Sequence, residues 1–213
     1  MNTQKAIFEQ YLHEQKLTNI SNLMGVFEHY HHLLVEHNRQ VNLISRKMPA
    51  ENYWIQHFLD SLLVLETLDF QGYTVLDFGT GGGLPGIPLK IVQPDCEMVL
   101  LDSVQKKCRA VQDIVEALSL GKTSVFCSRI EDYAFMGRRP SFDLILCRAV
   151  ALEERYLAPL RRLLKPSGRL LMFKSRSLDD LEGIEYEVLL EKDDEHIGRR
   201  RLIGIKQRDL MKR

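Results

Sequence analysis

The chain has 213 residues, 45% hydrophobic and 27% charged, a profile that suits one globular domain with an appendage. Lys+Arg and Asp+Glu number 29 each, so any nucleic-acid partner has to be met by a local basic face and not by bulk charge. No run approaches the ~20 apolar residues of a membrane span. The charged start MNTQKAIFEQYLHEQ does not read as a signal peptide, and the scattered Cys96, Cys108, Cys127 and Cys147 offer no CxxC pair or disulfide framework. Reduced thiols in a cytoplasmic protein without a metal site are expected.

Residues 1–68 read as a helical N-terminal extension, and 69–213 as one compact domain. Apolar residues recur at helical spacing in IFEQYL and in LMGVFEHYHHLLVEH, with a capped break at Thr18 to Ser21. A third helix is predicted through ENYWIQHFLDSLLVLETL, after Pro49. There, Trp54 and His57 are expected to pack on the sheet rather than shape a groove. His29, His31 and His32 read as helix surface and core positions.

From Tyr73 the rhythm changes to short apolar runs, TVLDF, EMVLLD, SVFCS, FDLILC and RLLMFK, alternating with amphipathic stretches. That alternation predicts an α/β fold: a doubly wound, mostly parallel sheet with helices on both faces. The helices include VQKKCRAVQDIVEALSL and LEERYLAPLRRLLK, the latter ending at Pro166; YEVLLE and RLIGIK are expected to close the chain as an antiparallel hairpin.

The chemistry is concentrated in VLDFGTGGGLPGIPLKIV, residues 75–92. A strand ends at Asp77, a glycine-rich turn follows, and a helix is predicted from near Leu84, offering free N–H groups to a ligand. Gly81, Gly83 and Gly86 satisfy the dinucleotide pattern G-x-G-x-x-G, which alone is weak. Asp77, Gly79, Gly81 and Gly83 also satisfy D-x-G-x-G-x-G at every position, and that spacing favours S-adenosylmethionine over a dinucleotide. Asp77 is placed to order the loop and orient the cationic methionine end. Asp102, closing the next strand, is placed to accept hydrogen bonds from ribose hydroxyls. Ser128 to Glu131 lies where an adenine ring would sit, with backbone groups of Ile130 and Glu131 at the base edge; the same residues also read as a capping box. After the fourth run, Cys147 reads as a buried thiol and not a nucleophile. Arg148 reads either as a ligand for a phosphate, carboxylate or acceptor base, or as one half of a surface salt bridge.

Together HNRQVNLIS, HFLDSL, VLDFGTGGGLPGIPL, LLDS, SRIE and CRAVA resemble the RsmG family, also called GidB, from about Asn38 to Lys206. The resemblance implies a class I, Rossmann-like methyltransferase that moves a methyl group from S-adenosylmethionine to N7 of a single guanine in 16S rRNA, leaving S-adenosylhomocysteine. It implies cofactor contacts at Gly79 and Leu84, adenine-side contacts at Ile130 and Glu131, Arg148 beside cofactor and acceptor, and Arg129 in rRNA handling or catalysis. The sequence departs from the family at NLIS and at Lys174-Ser175, which bears on the shape of the acceptor site. The expected partner is 16S rRNA in the small subunit or an assembly intermediate, with the protein a monomer away from membranes. Candidate RNA-facing cations are Arg138-Arg139, Lys106-Lys107-Arg109, Arg161-Arg162-Lys165 and Arg199-Arg200-Arg201, although each cluster taken alone reads better as a solvated helix face. The alternatives are a methyltransferase for a small molecule or protein, an NAD-dependent oxidoreductase, and a non-enzymatic RNA-binding module.

Overall fold

The computed structural model describes residues 3–137, 141–175 and 177–211; Arg138 and Arg139 lie outside them. Seven strands form one sheet in the order β3-β2-β1-β4-β5-β7-β6. They are β1 (Thr74–Phe78), β2 (Glu97–Asp102), β3 (Thr123–Cys127), β4 (Phe142–Arg148), β5 (Leu164–Lys174), β6 (Glu187–Asp194) and β7 (Gly198–Lys206). Strands β1 to β5 pair in parallel, and β7 runs antiparallel to both β5 and β6. The terminal hairpin is therefore present. The order reverses between β1 and β4, so the carboxyl ends of these strands open onto the crevice where doubly wound sheets take ligands.

Period-two alternation places Leu144 and Leu146 in one core and Ile145 and Cys147 in the other. The first core packs α1 (Thr3–Glu14), α2 (Ile20–Gln40), α4 (Gly86–Val92) and α5 (Gln105–Ala117) on one face of the sheet. On the other face lie α6 (Ile130–Phe135) and α7 (Glu154–Leu163). Phe8, Phe27, Tyr30 and Phe58 from the first 68 residues share a core with Val75 and Leu100 of the sheet.

Three local expectations are corrected by the structure. The third helix is not one regular α-helix: a 3₁₀ turn, Ala50–Asn52, leads to π-helical Trp54–Leu59, one α-turn α3 (Asp60–Leu62) and a further 3₁₀ turn, Leu63–Glu66. Single wide turns of this kind gather at functional sites. The helix α7 stops at Leu163, because Leu164 already pairs with Phe142; Pro166 sits in the strand and does not terminate the helix. The capping box is not formed, since α6 has Arg129 at its N-cap with no side-chain cap, and the Ser128 hydroxyl donates to the Arg129 carbonyl.

Candidate functional site

A cavity of about 640 Å³ opens at the carboxyl ends of β1, β2 and β4. Its wall contains Gly79, Gly81, Leu84, Asp102, Arg129, Ile130, Glu131 and Arg148, so one pocket gathers eight of the predicted residues. Gly83 and Asp77 are not in its wall.

Asp77 explains the glycine loop from the inside. Its carboxylate is fully buried, and Oδ2 accepts hydrogen bonds from Thr80 Oγ1 at 2.6 Å and from the Gly86 amide at 2.9 Å. Burial pushes its pKa up to about 6, although both hydrogen bonds favour the charged form. Asp77 therefore ties the two ends of the loop together from behind the cavity wall. The amides expected to be free at the start of α4 are also occupied: Gly86 donates to Asp77, and Ile87 donates to the Gly83 carbonyl at 2.7 Å.

Asp102 lines the cavity. Its Oδ2 accepts from the Gly81 amide at 3.0 Å and its Oδ1 from the Val104 amide at 2.9 Å. A carboxylate has about four lone-pair positions, so two such bonds leave room for hydroxyl donors. Gly79 has φ +75, and a Cβ there would lie 2.7 Å from Val150 Cγ2. The cradle at this point has room only for glycine.

The helical N-terminal residues complete the pocket. Tyr30 donates its hydroxyl to the Gly82 carbonyl at 2.8 Å, and Leu43, Ile44 and Ser45 form part of the wall. The turn carrying those three is held by Asn38, whose Oδ1 accepts from the Leu43 and Ile44 amides at 2.9 and 3.1 Å. These residues were visible in HNRQVNLIS only as a motif without a role.

Arg148 is no surface salt bridge. Its side chain is 13% exposed, and its Nη1 lies 2.9 Å from Asp60 Oδ2. The next residue, Ala149, has φ +61, a strained backbone conformation of the kind found at functional turns. The Cys147 thiol is buried and its pKa is pushed up to about 12 by that burial, which leaves it a neutral core group. Trp54 packs in the aromatic core, stacked on His31, whereas His57 lines the cavity. Among the described residues no cluster of His, Cys, Asp or Glu could hold a metal, and no helix is long and apolar enough to cross a membrane.

His57 takes a single tautomer. Arg148 Nη2 lies 3.1 Å from His57 Nδ1, and a guanidinium can only donate, so Nδ1 accepts and Nε2 carries the proton. Burial, with the charge of Arg148 second, lowers the His57 pKa to about 3. With the folded pKa below the unfolded value of about 6.5, this stability is present above the unfolded value and is lost as pH falls toward the folded one. Between pH 7 and pH 4 the loss is about 3 kcal/mol. Thermal unfolding of the wild type and His57→Gln should therefore show the steeper acid loss in the wild type; parallel curves would refute the assignment.

The comparisons with known proteins agree on one assignment. A Chlorobium chlorochromatii protein named Ribosomal RNA small subunit methyltransferase G is 37% identical over 91% of this chain and 79% of its own length. A protein of the same name from Chlorobaculum tepidum is 39% identical over 83% of this chain and 78% of its own. Among solved structures, a mutant of MtNAS in complex with S-adenosylmethionine has a TM-score of 0.61 at 16% identity, covering 93% of this chain and 83% of that one. A SAM-dependent methyltransferase from Aquifex aeolicus has a TM-score of 0.57 at 19% identity, covering 72% and 93% respectively. At such identities the structures establish the class I methyltransferase fold, as expected. The expected enzyme class, an S-adenosylmethionine-dependent rRNA methyltransferase, stands with the sequence relatives. Residues 24–198 match the family GidB, described as rRNA small subunit methyltransferase G, and the chain belongs to that family.

Proposed function

We propose that the protein transfers a methyl group from S-adenosylmethionine to N7 of a single guanine in the 16S rRNA of the small ribosomal subunit. The observation that carries the cofactor reading is the occupied start of α4. A dinucleotide needs its pyrophosphate at free helix N–H groups, and here the Gly86 amide is bonded to Asp77. The glycine loop instead presents a tight cradle at Gly79 beside Asp102, and this fits a nucleoside bearing a small charged tail. In this reading Gly79, Gly81 and Leu84 hold the methionine end, Asp102 the ribose, and Ile130 and Glu131 the adenine. Asp77 and Gly83 support the loop from behind.

When bound, the sulfonium of S-adenosylmethionine supplies an electrophilic methyl group. Guanine N7 has a lone pair and no proton, so none of the side chains has to act as a general base. The residues act by positioning and by electrostatics. Arg148, anchored by Asp60 at the end of β4, orients the acceptor base at the cavity mouth. Arg129 is exposed at the cavity edge, with Lys107 in the wall and Lys106 and Arg109 exposed nearby on α5, and these cations meet RNA phosphates. On this reading the enzyme works in the cytoplasm as a monomer. The test is incubation with radiolabelled S-adenosylmethionine and unmodified small subunits, followed by N7-specific chain cleavage. Label at one guanine is the expected result; label elsewhere, or none on rRNA from a protein that binds the cofactor, would overturn the reading.

A further inference from the structure

A second cavity, of about 770 Å³, adjoins the first and shares His57, Arg148 and Ala149 with it. Five cationic side chains line it, Arg148, Lys174, Arg199, Arg200 and Arg201, against one carboxylate, Asp60. Behind the wall Lys174 pairs with Asp180, and Arg199 and Arg201 share Glu191, so five cations meet three carboxylates and an excess of two positive charges remains in a chain whose net charge is zero. Lys174, Arg148, Arg201 and Arg200 are only 12%, 13%, 14% and 19% exposed. Largely buried cations are unfavourable unless anions compensate them.

The compensation is incomplete where the two cavities meet. Asp60 Oδ2 lies 2.9 Å from Arg148 Nη1, and its Oδ1 lies 2.6 Å from Arg200 Nε. One carboxylate is thus divided between two guanidinium groups, and one positive charge of the pair is left unmatched by it. Gln56, one turn before Asp60, fixes the same two groups. Its carbonyl accepts from Arg148 Nη1 at 3.4 Å and its Oε1 accepts from Arg200 Nη2 at 2.9 Å, while its own amide donates to the His196 carbonyl at 2.7 Å. The wide π-helical turn therefore ties the end of β4 to the β6–β7 hairpin. Arg200 also donates from Nη1 to the Arg199 carbonyl at 3.1 Å, so three of its five N–H groups are engaged, and this positively charged frame has two left to offer a tetrahedral oxyanion.

We propose that this second cavity seats a phosphodiester of the RNA strand carrying the acceptor base, with Arg200 as its principal ligand and Asp60 as the residue that positions Arg200 and Arg148 together. This rests on the rRNA reading above. The phosphate is held in one cavity while the base reaches Arg148 in the shared wall, so backbone binding sets the base's approach to the first cavity. Phosphate contacts of this kind fix register and carry no sequence information.

The test uses the full-length protein and an unmodified small-subunit rRNA fragment, with binding measured across a salt series for wild type, Arg200→Gln and Arg200→Lys. Arg200→Gln is expected to weaken RNA binding about tenfold near 0.1 M salt and to flatten the plot of log K against log salt by a little under one for each phosphate no longer neutralised. Arg200→Lys should retain the slope, and calorimetry should find S-adenosylmethionine affinity within about twofold of wild type. Asp60 keeps its ion pair with Arg148 at 2.9 Å in Arg200→Gln, so this variant is expected to melt within a few degrees of wild type and the slope change to be read on a folded protein. An unchanged slope would overturn the proposal, as would a parallel loss of cofactor affinity, which would assign Arg200 to the cofactor's carboxylate or to the fold. If mapping of the wild-type product finds methyl at another base while the slope still falls, the phosphate seat stands and the guanine-N7 reading fails.

Discussion

Arg148→Ala is expected to lower kcat/KM for methyl transfer to rRNA by about 10²-fold, the scale of misplacing an acceptor by roughly 1 Å. The same change should destabilise the fold, because it leaves the buried Asp60 carboxylate with Arg200 as its remaining ion-pair partner and leaves His57 Nδ1 without its donor. Breaking a buried pair from one side costs up to about 3–5 kcal/mol, so a melting-temperature loss alone would not separate the two effects. Arg148→Gln separates them. Asp60 keeps Arg200 at 2.6 Å and the glutamine amide can donate to His57 Nδ1, so much of the stability should return, while the rate stays low. Full recovery of the rate in Arg148→Gln would assign Arg148 a purely structural part. Unaltered transfer by Arg148→Ala would remove it from the site altogether.

Gly79→Ala is expected to weaken S-adenosylmethionine binding at least tenfold, read by calorimetry. Two penalties combine. At φ +75 an alanine is held in the left-handed region, which costs about 1–2 kcal/mol for a residue with a Cβ. The new Cβ would also lie 2.7 Å from Val150 Cγ2, so the loop or the turn after β4 has to move, and both form the cavity wall. Gly121→Ala is the control, since nothing lies within 4 Å of the position its Cβ would take. Equal cofactor affinity in both variants would show that the cradle is not where the cofactor binds.

The glycine loop was legible because its constraint is local. A left-handed φ at Gly79, Gly81 and Gly83 and close approach of neighbours can be met only by glycine, and the spacing from Asp77 writes that requirement into consecutive residues. The β-α alternation was legible for a similar reason. Each buried parallel strand needs a short apolar run, and those runs became β1 to β5. Boundaries were less so: in RRLLK, a helical apolar pattern and a strand start share the same leucines, and pairing of Leu164 with Phe142 decided between them.

The residues that read poorly are those whose roles depend on a distant partner. Asp60 carried no role of its own in the sequence, where it lies within the motif HFLDSL. Its significance comes from Arg148 and Arg200, which lie 88 and 140 positions away. Asp77 matched its motif, yet the motif could not tell whether the carboxylate faces a ligand or its own loop; the hydrogen bonds from Thr80 and Gly86 turned it inward. His57 was weighed as packing or groove, and the guanidinium at its Nδ1 made it a neutral wall residue. The chain alone thus specified the fold class and the glycine loop, through steric limits and periodic burial acting over a few residues. Which charges face each other across Asp60, and that Leu43 to Ser45 close the pocket, emerged only on folding, because Coulombic and packing energies depend on distance in space and not along the sequence.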